Sequence, residues 1–149
     1  MVTINSLASS LEEEVLACCS EKVPILVSLY GGFEVLKEFI DRGGKAKVIS
    51  EIPYPNIELA QLSLEMGIEL RHIERHSGIL FMVFDRKSVI SYINADYKRM
   101  SLDEPVSALW SDDPVYANYL ASTFEVLWGQ TIPAAQRIEE LLKEGPPGV

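Results

Sequence analysis

Apolar residues follow two different spacings along the chain, and each spacing predicts one type of secondary structure. Short segments rich in apolar residues and bounded by glycine, proline or charged residues predict strands. Such segments cover residues 23–30, 45–50, 68–73, 79–94 and 106–110, and the fourth folds as a hairpin about Arg86 and Lys87. Apolar residues three to four positions apart predict helices over residues 6–20, 33–42, 56–66, 114–128 and 133–142.

Local signals mark the ends of several predicted elements. Asn5 or Ser6 can cap the first helix, whose apolar stripe consists of Leu7, Leu11, Val15 and Cys18. Pro24 lies near the start of the strand predicted over residues 23–30, where a missing N–H does least harm. Gly43 and Gly44 end the second helix. Asp112 or Asp113 followed by Pro114 predicts the start of the long fourth helix.

The predicted order is helix, strand, helix, strand, helix, four strands and two helices. Alternating strands and helices in the first half imply right-handed parallel crossovers, whereas the hairpin adds antiparallel strands. The predicted fold is an α/β domain with a mixed, mainly parallel sheet and helices on both faces. The chain has 149 residues and no internal repeat or long linker. We therefore expect one domain over residues 1–144 and a disordered tail over 145–149.

The charge and cysteine content narrow the classes of partner. The formal net charge is −9 and no block of lysine and arginine stands out, so we expect no direct contact of this segment with nucleic acid. No run approaches 18 apolar residues, so we expect no membrane span, and residues 1–10 do not resemble a secretory leader. The two cysteines, Cys18 and Cys19, are adjacent and do not form a disulfide framework, which predicts a reducing, cytoplasmic location.

The ends of the predicted strands supply a candidate ligand site. The apolar strand from Ile79 ends on Asp85, and ligands of open α/β sheets bind at the carboxyl ends of strands. Gly31 and Gly32 follow a predicted strand, where their backbone N–H groups are available to an anion, although a tight turn is the simpler interpretation. If the neighbouring strands are parallel, one cleft is ringed by Tyr30, Gly31, Gly32, Tyr54, Asn56 and His76.

Two further clusters have a chemical and a structural interpretation. His72, Glu74 and His76 share one face if the strand continues that far, which makes them weak candidates for a metal site. Surface histidines on a polar edge are the alternative. Cys18 and Cys19 fit a redox pair, but Cys18 also lies on the apolar stripe, as a small buried hydrophobic residue does.

The order and spacing of these segments resemble one half of a phospholipase D-like domain. More narrowly, they resemble the effector domain of archaeal TrmB-type transcriptional regulators. The resemblance is carried by residues 39–49, 66–73, 81–85, 124–128 and 137–142. Such regulators carry an N-terminal helix-turn-helix domain, so the chain is either an isolated effector domain or a stand-alone relative. The resemblance implies a phospholipase D-like α/β fold.

Catalytic members of that superfamily carry an HxKxxxxD motif, in which the histidine is the nucleophile and the lysine holds phosphate. Aligning Asp85 with the motif's aspartate puts Gly78 at the histidine position and Leu80 at the lysine position. His76 lies two residues early, about 7 Å away along a strand, too far for the same chemistry. The resemblance therefore implies that the fold is kept and the catalytic groups are lost.

Together these features predict a non-catalytic sensor or regulatory domain that needs no cofactor. It binds a small-molecule effector or a protein partner as a homodimer, and passes that state to transcription or signal transduction. Edge strands are one candidate dimer surface, and the aromatic residues of the final third are another: Trp110, Tyr116, Tyr119, Phe124 and Trp128. Two alternatives stay open. One is a divergent phosphodiesterase or metal-dependent hydrolase using His72, Glu74, His76 and Asp85, and the other is a protein-interaction scaffold without a pocket.

Overall fold

A computed structural model describes residues 10–29, 31–74, 80–92 and 108–148. Within these ranges the strands form one mixed seven-stranded sheet in the order β6-β5-β4-β1-β2-β3-β7. The strands are β1 (Glu14–Cys19), β2 (Lys45–Ser50), β3 (Glu69–His72), β4 (Phe81–Phe84), β5 (Ser88–Tyr92), β6 (Ala108–Ser111) and β7 (Ile132–Pro133). β1, β2 and β3 are parallel, whereas every other pairing is antiparallel.

Helices cover both faces of the sheet, as the sequence predicts. They are α1 (Val23–Leu29), α2 (Gly32–Asp41), α3 (Ile57–Glu65), α4 (Pro114–Trp128) and α5 (Ala134–Glu144), with a 3₁₀ turn at Tyr54–Asn56. One face packs Val15 and Leu70 against residues of α2, α3 and α5. The other face packs Leu16 and Phe81 against α4, whose Phe124 is buried. The fold class is therefore the mixed α/β architecture expected from the sequence.

The segment over residues 14–19 is a strand, so the helix predicted to run through Ser20 is wrong there. The side chains from Val15 to Cys19 are all buried, at 2–5 % exposure. A helix with one apolar stripe would leave several of these consecutive residues in solvent, whereas a central strand buries both faces. β1 is such a strand, because it pairs with β2 on one side and β4 on the other. Residues 6–9 of the predicted helix lie outside the described ranges.

The segment over residues 23–29 is a helix, so the strand predicted there is also wrong. Pro24 is the second residue of α1, where the absent N–H needs no helical partner. Ile25 is 38 % exposed, which does not fit a strand buried on both faces. Because β1 already occupies the place beside β2, the sheet has no position for this run next to β2. Tyr30, the predicted end of the strand, lies outside the described residues.

Several predicted boundaries are confirmed. The backbone N–H of Gly44 donates to the carbonyl of Phe39, and Gly43 has a φ of 96°, so the two glycines close α2. Asp113 caps α4, because its carboxylate accepts from the N–H of Val115 at 2.9 Å. β4 and β5 form the predicted antiparallel hairpin, but Phe84 lies opposite Ser88, so the turn contains Asp85 as well as Arg86 and Lys87.

Candidate functional site

Asp85 is placed by the direction of β4. Because β4 runs antiparallel to β1, its carboxyl end lies beside the amino end of β1. The Asp85 carboxylate accepts three backbone N–H groups there, from Glu12 at 3.0 Å, Glu13 at 2.8 Å and Glu14 at 2.9 Å. The expectation that Asp85 faces a ligand at the carboxyl edge of the sheet is therefore wrong. Its oxygens hold the chain that enters β1.

The turn that carries Asp85 is joined to two further elements. Asp85 and Arg86 have φ values of 52° and 55°, the left-handed conformation that both central residues of a type I′ hairpin turn adopt. Arg86 donates to Glu14 and to Glu125 of α4, each at 2.7 Å. These two carboxylates raise the pKa of Arg86, with Glu125 as the larger cause. The turn thus connects β1, β4 and α4 and has a structural role.

His72 ends β3 at the opposite, carboxyl edge of the parallel strands. Its side chain is buried, and its Nδ1 accepts from the N–H of Ile52 at 2.9 Å. Arg137 of α5 donates to the carbonyl of Ile52 at 3.1 Å. The pKa of His72 is lowered to about 4, mainly by burial and also by the charge of Arg137, while Glu74 and Glu140 partly oppose the shift. His72 is therefore neutral near pH 7 and positions the Ile52 peptide.

The hydrogen bond from the N–H of Ile52 to Nδ1 of His72 argues against His72 as a metal ligand. A neutral imidazole whose Nδ1 accepts a proton carries its own proton on Nε2. A metal at Nε2 would require that proton to move to Nδ1, where it would meet the N–H of Ile52. Glu74 is exposed, and His76 lies outside the described residues. Among the residues the structure describes, no three histidine, cysteine or acidic side chains are grouped as metal ligands would be.

A pocket of about 70 Å³ lies between the sheet and helices α1, α2 and α3. It is the candidate ligand site in the described part of the chain. Strand residues form its floor, namely Val15, Ala17, Cys19, Val48, Ser50, Leu70 and Met82. Helix residues form its walls, among them Val23, Val27, Phe33, Leu36, Leu59 and Ala60. Most of these side chains are apolar, so the pocket offers shape and dispersion contacts.

Three polar side chains that line the pocket, those of Ser50, Asn56 and Ser63, are hydrogen-bonded to the main chain. Ser50 Oγ donates to the carbonyl of Glu51 at 3.0 Å. Asn56 Nδ2 donates to the carbonyl of Glu21 at 2.7 Å, and Ser63 Oγ donates to that of Leu59 at 2.8 Å. A ligand that took these donors would break existing bonds. The pocket therefore favours an apolar molecule, or the apolar end of a longer one.

The pocket coincides only partly with the cleft predicted from the sequence. Of the predicted residues that the structure describes, Asn56 lies in its wall. Gly31 and Gly32 link two helices instead of following a strand, and Gly32 lies close against Val27. Tyr54 lies in the 3₁₀ turn and packs against the core. Tyr30 and His76 lie outside the described residues.

Small side chains facing the pocket were the signal that the sequence analysis missed. Ala17, Ser50, Ala60 and Ser63 lie on surfaces that face one another. Small residues become recognisable as the lining of a space only when the elements that carry them are known to be adjacent. Because the sequence pattern predicts a helix over residues 14–19 and a strand over residues 23–29, it does not bring these small residues together.

The two cysteines are buried on opposite faces of β1. Cys19 lines the pocket, whereas Cys18 packs in the cluster beneath α4. Burial raises the pKa of Cys18 to about 12 and also raises that of Cys19, to which Cys18 adds a smaller contribution. Since the thiolate is the reactive form, both thiols are unreactive at neutral pH. The redox interpretation of this pair is therefore disfavoured.

No protein-family model matches the chain, and no curated protein matches it by sequence. Solved structures do share its fold. TrmBL2, an archaeal chromatin protein with a novel mode of DNA binding, is similar with a TM-score of 0.67 and 14 % identity. The match covers 87 % of this chain and 48 % of TrmBL2, so this chain corresponds to about half of that protein.

Two further solved structures match this chain over most of their length. Nuc from Salmonella typhimurium, a phospholipase D family member, has a TM-score of 0.67, 14 % identity and coverage of 87 % of this chain and 86 % of its own. NucT from Helicobacter pylori has a TM-score of 0.64, 14 % identity and 87 % coverage of both chains. This chain therefore has a phospholipase D-like fold. Of the helices in the described ranges, none has both the length and the hydropathy that a membrane span requires.

Proposed function

We propose that this chain is a non-catalytic regulatory domain with a phospholipase D-like fold that binds a small apolar ligand. The observation that carries the proposal is the identity of the residues that stand at the catalytic-motif positions. Leu80 occupies the lysine position and is 1 % exposed, so an apolar side chain packed in the core replaces the cation that would hold phosphate. Gly78 stands at the histidine position and has no side chain.

The third motif position supports the same conclusion. Asp85 is retained, but its carboxylate accepts three main-chain N–H groups at the amino end of β1. A carboxylate with both oxygens engaged in this way stabilises the fold and is not available to position a nucleophile. The regulatory part of the proposal draws support from the similarity to TrmBL2, an archaeal chromatin protein. A sensor of this type keeps the fold and uses a pocket in place of catalysis.

Phosphodiester hydrolysis tests the non-catalytic part. We expect the chain to leave bis(p-nitrophenyl) phosphate and single-stranded DNA uncleaved, with or without Mg²⁺ or Zn²⁺, because no nucleophile and no phosphate-binding cation occupies the motif. The measurement is release of p-nitrophenol and of labelled DNA fragments. Cleavage that disappears in a His76→Ala variant would instead establish the divergent hydrolase.

Xenon binding tests the pocket, because xenon fills small apolar cavities without hydrogen bonds. We expect amide and methyl NMR signals of Val15, Val48 and Leu70 to shift under xenon pressure. A bulkier side chain at Ala60, which is buried in the wall, should abolish these shifts. Ala60→Met should also preserve or raise stability by about 0.5–2 kcal/mol, because it fills a void.

Ala135→Met is the matched control, since Ala135 is exposed on α5 and the same substitution there leaves the pocket open. Its xenon shifts should equal those of the wild type. Melting curves of both variants show whether each is folded, and Val48→Ile provides a second, smaller filling of the same pocket. Wild-type shifts that persist in both filled variants would exclude this pocket as the ligand site.

A further inference from the structure

Helix α4 has far fewer charges than a helix on the surface of a globular domain normally carries. In fifteen residues it has one ionisable acid, Glu125, and no lysine or arginine. Its inner face is buried against the sheet through Ala117, Leu120, Ala121 and Phe124. A helix with one apolar face toward the core normally presents charged residues on the other side. The outward face of α4 does not follow this pattern.

The outward face of α4 carries an exposed apolar stripe. Val115, Tyr119 and Val126 are 78 %, 68 % and 66 % exposed, and Ser122 lies between the last two. Intervals of four, three and four residues place these side chains in one row along the helix. Tyr119 is two residues from Ala117 and from Ala121, about 200° round the helix from the buried face. The stripe therefore points directly away from the sheet.

The charges around the stripe limit what could cover it. Helix α4 carries no lysine or arginine that could attract an anionic lipid surface or nucleic acid. The carboxylate of Glu125 is already paired with Arg86 at 2.7 Å. A second protein surface can therefore approach the stripe without meeting an unpaired charge on this helix. An apolar protein face is the occupant that this chemistry fits.

We propose that the occupant is the same helix of a second copy of this chain, packed antiparallel about a two-fold axis. An axis between residues 120 and 121 puts Tyr119 of each copy opposite Ser122 of the other, and Val115 opposite Val126. The largest side chain of the stripe thus faces the smallest, so that one fills the gap left by the other. The stripe is complementary to itself in this register.

The exposed area predicts how strong this dimer is. The three apolar side chains of the stripe expose roughly 400 Å², the size of a large patch on a monomer. A standard interface buries about 800 Å² on each partner. The stripe is about half that size, so we expect a dimer that dissociates on dilution. The α4 stripe is also distinct from the exposed edge strand β6, which carries Leu109 and Trp110.

Sedimentation of the purified chain from about 10 to about 500 µM, a range matched to such an interface, tests the proposal. We expect the wild type to shift from monomer to dimer. Tyr119→Lys should weaken the dimer at least tenfold, because it replaces the central contact by a charge. Trp110→Lys is the matched control on β6 and should leave the dimer unchanged. All of these positions are exposed, and melting curves confirm that each variant is folded.

A mixing experiment tests the register. Neither Tyr119→Lys nor Ser122→Glu alone should dimerise as the wild type does, whereas an equimolar mixture should recover a dimer, since the new lysine of one chain faces the new glutamate of the other. A wild type that stays monomeric over the whole range would overturn the proposal. A dimer that is lost in Trp110→Lys and retained in Tyr119→Lys would overturn the proposal as well.

Discussion

Replacing Asp85 by alanine should lower the free energy of unfolding by about 3 kcal/mol, because hydrogen bonds to a charged group contribute about 1.5–3 kcal/mol each and are only partly replaced by water. Three N–H groups at the entry to β1 lose their acceptor at once, at 2.8–3.0 Å. β1 is the central strand, so a disturbance at its start affects pairing with both β2 and β4. Urea denaturation followed by circular dichroism measures the effect.

Two variants separate this role from the general effect of removing a surface carboxylate. Asp41→Ala removes an exposed carboxylate paired with Lys37 at 2.8 Å and should change stability by less than about 0.5 kcal/mol. Asp85→Asn retains one oxygen acceptor and should fall between wild type and Asp85→Ala. If Asp85→Ala is as stable as Asp41→Ala, the carboxylate does not hold the entry to β1.

Lowering the pH from 7 toward 4 should destabilise the protein through His72 by about 3 kcal/mol, since each unit of pKa difference is worth about 1.4 kcal/mol. The pKa of His72 is lowered to about 4 in the folded state, whereas an unfolded histidine titrates near 6.5. Between pH 6.5 and 4, His72 is protonated in the unfolded chain and stays neutral in the folded chain. The contribution of His72 to the free energy of unfolding is therefore complete above pH 6.5 and is lost as the pH falls from 6.5 to 4.

His72→Asn isolates this contribution from other groups that titrate in acid. The asparagine oxygen can accept from the N–H of Ile52 as Nδ1 does, but it carries no titratable proton. The difference in unfolding free energy between wild type and His72→Asn should therefore change across this pH range. His72→Leu should lose about 1–3 kcal/mol already at pH 7, because the buried N–H is left without an acceptor. If the difference in unfolding free energy between wild type and His72→Asn does not change with pH, His72 is not neutral and buried as described.

The parts of the fold that were predictable from the sequence are those fixed by local chemistry. Asp113 before Pro114 specifies a helix start wherever the helix is packed, and Gly43 with Gly44 specifies a helix end. The hairpin of β4 and β5 follows from two apolar runs separated by a short polar turn. These signals act over a few residues, so their outcome does not depend on what lies across the sheet.

The two wrong predictions, a helix over residues 14–19 and a strand over residues 23–29, have the same cause. The runs at residues 14–19 and 23–29 both combine helical spacing with continuous apolar stretches, and periodicity alone does not distinguish a buried strand from a buried helix. The sheet distinguishes them, because β1 has strands on both sides and requires two apolar faces. α1 packs one side against α2 and the pocket, and leaves Ile25 exposed.

The sequence by itself determined the fold class and most element boundaries, because apolar spacing, capping residues and glycines act over a few residues. Tertiary structure alone decided the roles of Asp85 and His72. The antiparallel direction of β4 places Asp85 at the amino end of β1, away from the carboxyl edge of the parallel strands. The meeting of β3 and α5 buries His72 and lowers its pKa, and the crossing of three helices over the sheet creates an apolar pocket. Strand direction and burial depend on residues distant along the chain, and no local pattern specifies them.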